Sequence, residues 1–241
     1  MALHAALDGI DLVVFDKDGT LIDFQAMWGG WVRSLAENLE LETGRPLTGP
    51  LFDLLGVDHE TGLVRSHGLL AATPMARIRE HLVTRLSVLL GNAFDAEAAV
   101  DAVWEAPDPI ALARPIGDLG ALLGALRAAG RRIAVATSDD RDPTTRTLAA
   151  LGISELVDGI VCADDGEPVK PAPQAVLRLC RELGVEPGRA AVVGDSVADL
   201  AMGRAALAGR VIGVLTGVGD RAALEPLADL VLGSVQELAT A

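Results

Sequence analysis

Val13-Val14-Phe15-Asp16-Lys17-Asp18-Gly19-Thr20-Leu21 is the segment on which the architecture turns. Residues 10–15 form a short, almost wholly apolar run that stops at two carboxylates and a glycine. That is the pattern of a strand buried on both faces and ended abruptly. Such a strand needs parallel neighbours, and in this chain they come only much later. From about Gly117 strand and helix patterns alternate. A helix over 119–129 stops at Gly130, and a strand over 131–136 comes next. Asp142-Pro143 offers the N-cap and first turn of a helix that ends at Gly152. Residues 160–162 read as a short strand and 173–183 as a helix closed by Gly184. Then come a strand at 190–193, a helix at 197–206, a strand at 211–214, and an edge strand within 228–232 before a C-terminal helix. Short loops between alternating strands and helices imply a parallel sheet covered on both faces, so the predicted class is α/β, a Rossmann-like three-layer core.

Between the first strand and this alternation lies a leucine- and alanine-rich stretch over 24–106. Its breaks fall at Gly44-Arg45-Pro46, Gly49-Pro50, Thr73-Pro74 and Gly91-Asn92. Trp28, Trp31, Leu35 and Leu39 recur at helical spacing, and no strand pattern is visible. Pro107-Asp108-Pro109 reads as the return linker. The expected organisation is an α/β core domain, 1–23 with 107–241, and a helical domain at 24–106 inserted after strand one.

The chain has 241 residues, half of them apolar and 22% charged, enough for a sizeable core and too apolar for a disordered chain. A formal charge of −14 argues against nucleic acid or an anionic membrane as partner. Cys162 and Cys180 are too few for a disulfide framework and read as small buried hydrophobes. No basic segment leading into an apolar stretch marks a signal peptide, and no apolar run reaches the roughly 20 residues of a membrane span. The expected location is cytoplasmic.

In an open parallel sheet, ligands bind beyond the carboxyl ends of the strands. Asp16 and Asp18 come after the first strand; Thr137, Ser138 and Asp139 come after the second. Lys170-Pro171 lies beyond the third, and Gly194-Asp195-Ser196 with Asp199 beyond the fourth. Taken singly, each has a plain explanation. Asp18-Gly19 suits a hairpin turn. Ser196-x-x-Asp199 is a capping box. Thr137-Ser138 can satisfy backbone groups at a strand end, and Lys170 can be a solvated lysine. Against that last reading, Lys17 and Lys170 are the only lysines in a chain otherwise supplied with arginine.

Together, Phe-Asp-x-Asp-Gly-Thr-Leu after a strand, Thr137 after a strand, Lys170-Pro171, and Gly-Asp-Ser-x-x-Asp after a strand resemble the haloacid dehalogenase-like hydrolase superfamily. All four signature segments occur in order, and the insertion is similar to the cap of its helical-cap members, the phosphoglycolate phosphatases among them. The resemblance implies magnesium-dependent hydrolysis of a small phosphorylated metabolite through an aspartyl-phosphate. It casts Asp16 as nucleophile and Asp18 as general acid and base. Thr137, Ser138 and Lys170 would hold the phosphate. Asp16, Asp195 and the backbone carbonyl of Asp18 would bind the metal, with Asp199 steadying Lys170 or a metal-bound water. Such a cation also answers how an acidic protein tolerates an anionic substrate. An aspartate at 18 favours phosphoryl transfer over carbon–halogen cleavage, since a departing halide needs no proton, and the insertion contains no lysine for a phosphonate-cleaving imine.

The alternatives are a phosphosugar mutase of the same fold and a non-catalytic phospho-ligand binder; on any of these readings the protein is expected to be a monomer or homodimer. Lys17 stands where an apolar residue is common; alternation along an extended segment points it away from the metal, towards an acidic partner or towards phosphate. Thr216-Gly217-Val218-Gly219 lacks a full dinucleotide fingerprint. In the insertion, Arg33, Arg65, His67, Arg77, Arg79 and His81 are surface cations or recognise a second anionic group. Trp28 and Trp31 suit packing better than base stacking.

Overall fold

The first apolar run becomes β1 (Leu12–Phe15), and all four of its residues are fully buried. The computed structural model describes residues 2–65, 68–91, 93–105 and 108–240. His67 and Pro107 therefore lie outside the described residues. The later strands are β2 (Arg132–Ala136), β3 (Gly159–Val161), β4 (Ala190–Gly194), β5 (Arg210–Val214) and β6 (Leu230–Leu232). They form one parallel sheet in the order β3-β2-β1-β4-β5-β6. The first strand thus occupies the middle of the sheet, although its partners come more than a hundred residues later. A two-stranded antiparallel ribbon pairs Ala2–Leu3 with Ala239–Thr240.

The chain divides into two compact units, Met1–Phe24 with Pro109–Ala241, and Gln25–Asp108. The second unit is helical: α1 (Phe24–Thr43), α2 (Thr48–Leu55), α3 (Met75–Leu90) and α4 (Ala96–Val103), with an isolated Val57–Val64 bridge. Trp28, Trp31, Leu35 and Leu39 line the buried face of α1, and Ile78, Leu82 and Leu86 that of α3. The indoles pack edge to face, Trp31 against both Trp28 and Trp104, and Trp31 Nε1 donates to the Glu105 carbonyl at 2.6 Å. These tryptophans are packing residues. Arg65, Arg77 and Arg79 pair with Asp58, Glu80 and Asp101, as surface cations do.

In the first unit, the longer helices α5 (Leu119–Ala128), α6 (Arg141–Ala150), α7 (Gln174–Leu183) and α8 (Val197–Ala205) flank the sheet. Strand alternation sorts the core into two layers. Val13 and Phe15, with Ile133, Val135, Ala191 and Val193, pack against Leu119, Leu122 and Leu126 of α5 and Leu148 of α6. Leu12 and Val14, with Ala134, Ala136, Ala190 and Val192, pack against Val176, Leu179 and Cys180 of α7 and Met202 of α8. Burial on both faces is why β1 reads as an uninterrupted apolar run. Both cysteines are free and buried.

Two expectations need correction. The helix expected to be capped by Asp142 starts at Arg141 with Asp140 at its N-cap. Pro143 is accommodated in the first turn, where a backbone N–H has no helical partner to lose. The expected C-terminal helix is a single 3₁₀ turn, Val235–Leu238, because the next two residues leave to pair with the N-terminus. No helix among the described residues is long and apolar enough to cross a membrane.

Candidate active site

Register builds the site. Phe15 lies opposite Val135 on one side and Val193 on the other, so β1, β2 and β4 end at one level. Asp16 is the next residue and still donates its N–H to Val193 O at 2.8 Å. Its buried carboxylate faces Lys170, whose Nζ donates to Asp16 Oδ1 at 2.5 Å and to Asp199 Oδ1 at 2.6 Å. The Lys170 side chain is 7% exposed, and the Lys170–Pro171 peptide is cis.

Asp199 holds this lysine from the start of α8. Its Oδ2 accepts from the Ser196 N–H at 3.0 Å and from Ser196 Oγ at 2.6 Å, and its own N–H donates to Ser196 Oγ at 3.2 Å. The capping box and the tether for Lys170 are one arrangement. Asp195, almost fully buried, accepts from Thr20 Oγ1 at 3.2 Å and from the Val218 N–H at 2.8 Å.

The other branch of the loop turns to the opposite side. Lys17 is 1% exposed, and its Nζ lies 2.9 Å from Asp18 Oδ1, 2.8 Å from Asp18 Oδ2 and 3.0 Å from Asp139 Oδ2. Lys17 continues the Val13–Phe15 parity and Asp16 that of Leu12–Val14, so the strand's alternation persists one step past its end. Thr137 and Ser138 end β2 next door. The Thr137 hydroxyl accepts from the Asp139 N–H at 3.1 Å. No hydrogen bond or ion pair joins Ser138 to the cluster among the described residues.

Asp16, Lys170, Asp195 and Asp199 are thus brought together directly, and Asp18 is joined through Lys17 to the loop after β2. The roles of several participants escaped the sequence reading. Thr20 supports Asp195, and Asp139 anchors Lys17. The loop over 216–219, set aside for lacking a nucleotide fingerprint, holds Asp195 through Val218 and the Gly19 carbonyl through Thr216 Oγ1 at 2.6 Å. Two glycines make room for that carboxylate. A Cβ on Gly19, whose φ is +92°, would stand 2.5 Å from Asp195 Oδ2, and one on Gly217 would collide with the same carboxylate. Neither glycine is near Asp195 in sequence, so the sequence shows no sign of the approach, which is between loops.

The electrostatics are those of crowded carboxylates short of cations. Burial lifts the Asp16 carboxyl, with help from Asp199 and Asp18 and against the pull of Lys170, to about 6. Burial and the neighbouring Asp16 push Asp195 well above its ordinary value. Burial would depress Lys17, but Asp18 and Asp139 more than reverse it, raising the ammonium to about 12. Lys170 is raised in the same way by Asp16 and Asp199.

Asp16, Asp195 and Asp199 place carboxylate oxygens within 4.8 Å of one another. Both Asp199 oxygens are already engaged by Lys170 and Ser196. Asp16 Oδ2, by contrast, is buried with no hydrogen-bond partner. A buried orphan oxygen beside a second desolvated carboxylate fits a hard divalent cation, which takes oxygen ligands and favours the ionised forms.

The sequence pattern of the haloacid dehalogenase-like hydrolases matches residues 10–206. The phosphoglycolate phosphatase of Rhodospirillum rubrum is 33% identical over 194 residues, covering 80% of this chain and 75% of that one. The validoxylamine A 7'-phosphate phosphatase of Streptomyces hygroscopicus subsp. limoneus is 27% identical over 189 residues, covering 78% of each. Among solved structures, an HAD phosphatase from Thermococcus onnurineus superposes with a TM-score of 0.66 at 20% identity, over 95% of this chain and 96% of that one. That last likeness establishes a shared fold.

Proposed function

Because the chain belongs to the haloacid dehalogenase-like hydrolase family, we propose that it hydrolyses a small phosphate monoester with Asp16 as nucleophile. One observation carries the reading. Lys170 orients the Asp16 carboxylate through Oδ1, while Oδ2 is buried without a hydrogen-bond partner beside Asp195, as suits a carboxylate shared between a cation and a phosphoryl group. The unit formed by Met1–Phe24 and Pro109–Ala241 is assigned as the catalytic core, and Gln25–Asp108 as the helical cap.

The Asp16 carboxylate attacks phosphorus, and the bond from phosphorus to the leaving oxygen breaks. Asp18 gives that oxygen its proton. It then takes a proton from water as the water attacks phosphorus, which breaks the Asp16–phosphorus bond and frees inorganic phosphate. Thr137 and Ser138 donate to the transferring group, and Lys170 keeps Asp16 oriented while Asp199 keeps Lys170 in place. Magnesium fits the donor set of Asp16, Asp195 and the Asp18 carbonyl, and when bound it supplies charge neutralisation for an anionic nucleophile meeting an anionic substrate. The phosphate-ester names of the two similar phosphatases support a small phosphorylated metabolite, with phosphoglycolate as first choice.

A panel of phosphate monoesters assayed with magnesium and with chelator tests this. Magnesium-dependent phosphate release is expected, and Asp16→Asn should abolish it while preserving the melting temperature. Turnover that survives Asp16→Asn would mean a different nucleophile. Sugar-phosphate isomerisation without phosphate release would replace hydrolysis by a mutase reaction.

A further inference from the structure

Hydrolysis by Asp16 and Asp18 leaves Lys17 without a role, although its ammonium is among the most deeply buried charges in the protein. Burying an ammonium is costly unless its partners are close and well placed. Here they are both: two oxygens of Asp18 and one of Asp139 lie within 3.0 Å of Nζ. Asp139 is itself fastened, its N–H donating to Thr137 Oγ1 and its carbonyl accepting from the Ala163 N–H at 3.0 Å.

We propose that Lys17 is a positioning residue for Asp18. Its ammonium grips the Asp18 carboxylate by both oxygens and is itself retained by Asp139, so the acid/base is set against the loop bearing Thr137 and Ser138. The inference rests on Asp18 being the acid/base of the aspartyl-phosphate route.

The shared arrangement has a consequence for the two half-reactions. When the Asp18 carboxyl turns towards the leaving oxygen, Asp139 still pairs Lys17, so no buried ammonium is stranded. Once Asp18 has given up its proton, both oxygens of the carboxylate are again held against the ammonium, as they are in the structure. That is the form required to take a proton from the attacking water. Lys17 therefore assists the second half-reaction, release of phosphate from Asp16, more than the first.

The experiment uses para-nitrophenyl phosphate, whose leaving group needs no proton, so the first half-reaction proceeds without Asp18 acting as acid. In Lys17→Met the burst of nitrophenolate should keep its wild-type rate. The steady-state rate should fall roughly tenfold to hundredfold, the scale of an ångström-sized misplacement of a catalytic group, and KM should fall with it. Lys17→Met leaves Asp139 as a buried carboxylate without its cation. Lys17→Met/Asp139→Asn removes that defect and, if the single variant does not fold, gives the same readout. Unchanged steady-state kinetics, or equal slowing of burst and steady state in a folded variant, overturns the assignment of Lys17. Acid-quenched wild type without hydroxylamine-sensitive phosphate on the protein overturns the underlying mechanism instead, and with it this inference.

Discussion

Val218 donates its backbone N–H to Asp195 Oδ2 at 2.8 Å, reaching across a gap that leaves no space for a Cβ on the preceding Gly217. The contact orients a carboxylate whose other oxygen accepts from Thr20 Oγ1. Gly217→Ala should therefore displace Asp195 while leaving the sheet intact. Magnesium affinity, read by titrating activity, should weaken roughly ten- to hundredfold, as when groups that orient a metal ligand are disturbed. An unchanged magnesium titration would remove Asp195 from the metal set.

Lys170 is shared by two buried carboxylates. Lys170→Met should cost about 3–5 kcal/mol in urea denaturation at neutral pH, the usual penalty for stranding buried charge. Phosphatase activity should vanish in the same variant. A loss of activity with no loss of stability would show that Asp16 and Asp199 are relieved by something other than this lysine.

The carboxyls of Asp16 and Asp195 hold their protons more tightly in the folded chain than their ordinary values imply. A raised carboxyl stabilises the fold while protonated, so its contribution is lost as pH rises from 3.8 through about 6 for Asp16. Carboxyls such as Asp11 and Asp165, lowered by arginine partners, run the other way, so absolute stability is a poor readout. The increment in melting temperature caused by magnesium isolates the effect. It should be larger at about pH 8 than at about pH 5, where protons compete for the same oxygens. Equal increments would place the ion elsewhere.

Ser196 caps α8 and binds Asp199. Ser196→Ala should cost about 1 kcal/mol, the ordinary penalty for a lost N-cap. Activity should fall only severalfold, because Lys170 still reaches Asp199 directly. A loss as complete as that of Lys170→Met would assign Ser196 to the chemistry itself.

Much of the fold is legible in the sequence because β1 and its neighbours are buried on both faces and so appear as plain apolar runs between glycine-marked helices. The helix start near Asp142 and the C-terminal turn are not, since pairing of Ala239–Thr240 with Ala2–Leu3 is invisible to local pattern. The four signature segments are also legible, three at the ends of strands and Lys170-Pro171 across a loop beyond the third. The partners of Thr20, Asp139 and the loop over 216–219 stay hidden, because each acts on a residue far away in the chain.

Residue order alone was enough to gather carboxylates, hydroxyls and lysines at one sheet edge: neighbouring parallel strands in register end close together, and the residues past their ends are carried to the same place. How the charges pair there was settled only by folding in three dimensions. Lys170 goes to Asp16 and Asp199, whereas Lys17, one residue from the nucleophile, goes to Asp18 and Asp139. Strands stand only about 4.8 Å apart and side chains alternate between faces, so a shift of one residue sends an ammonium to the other side of the sheet.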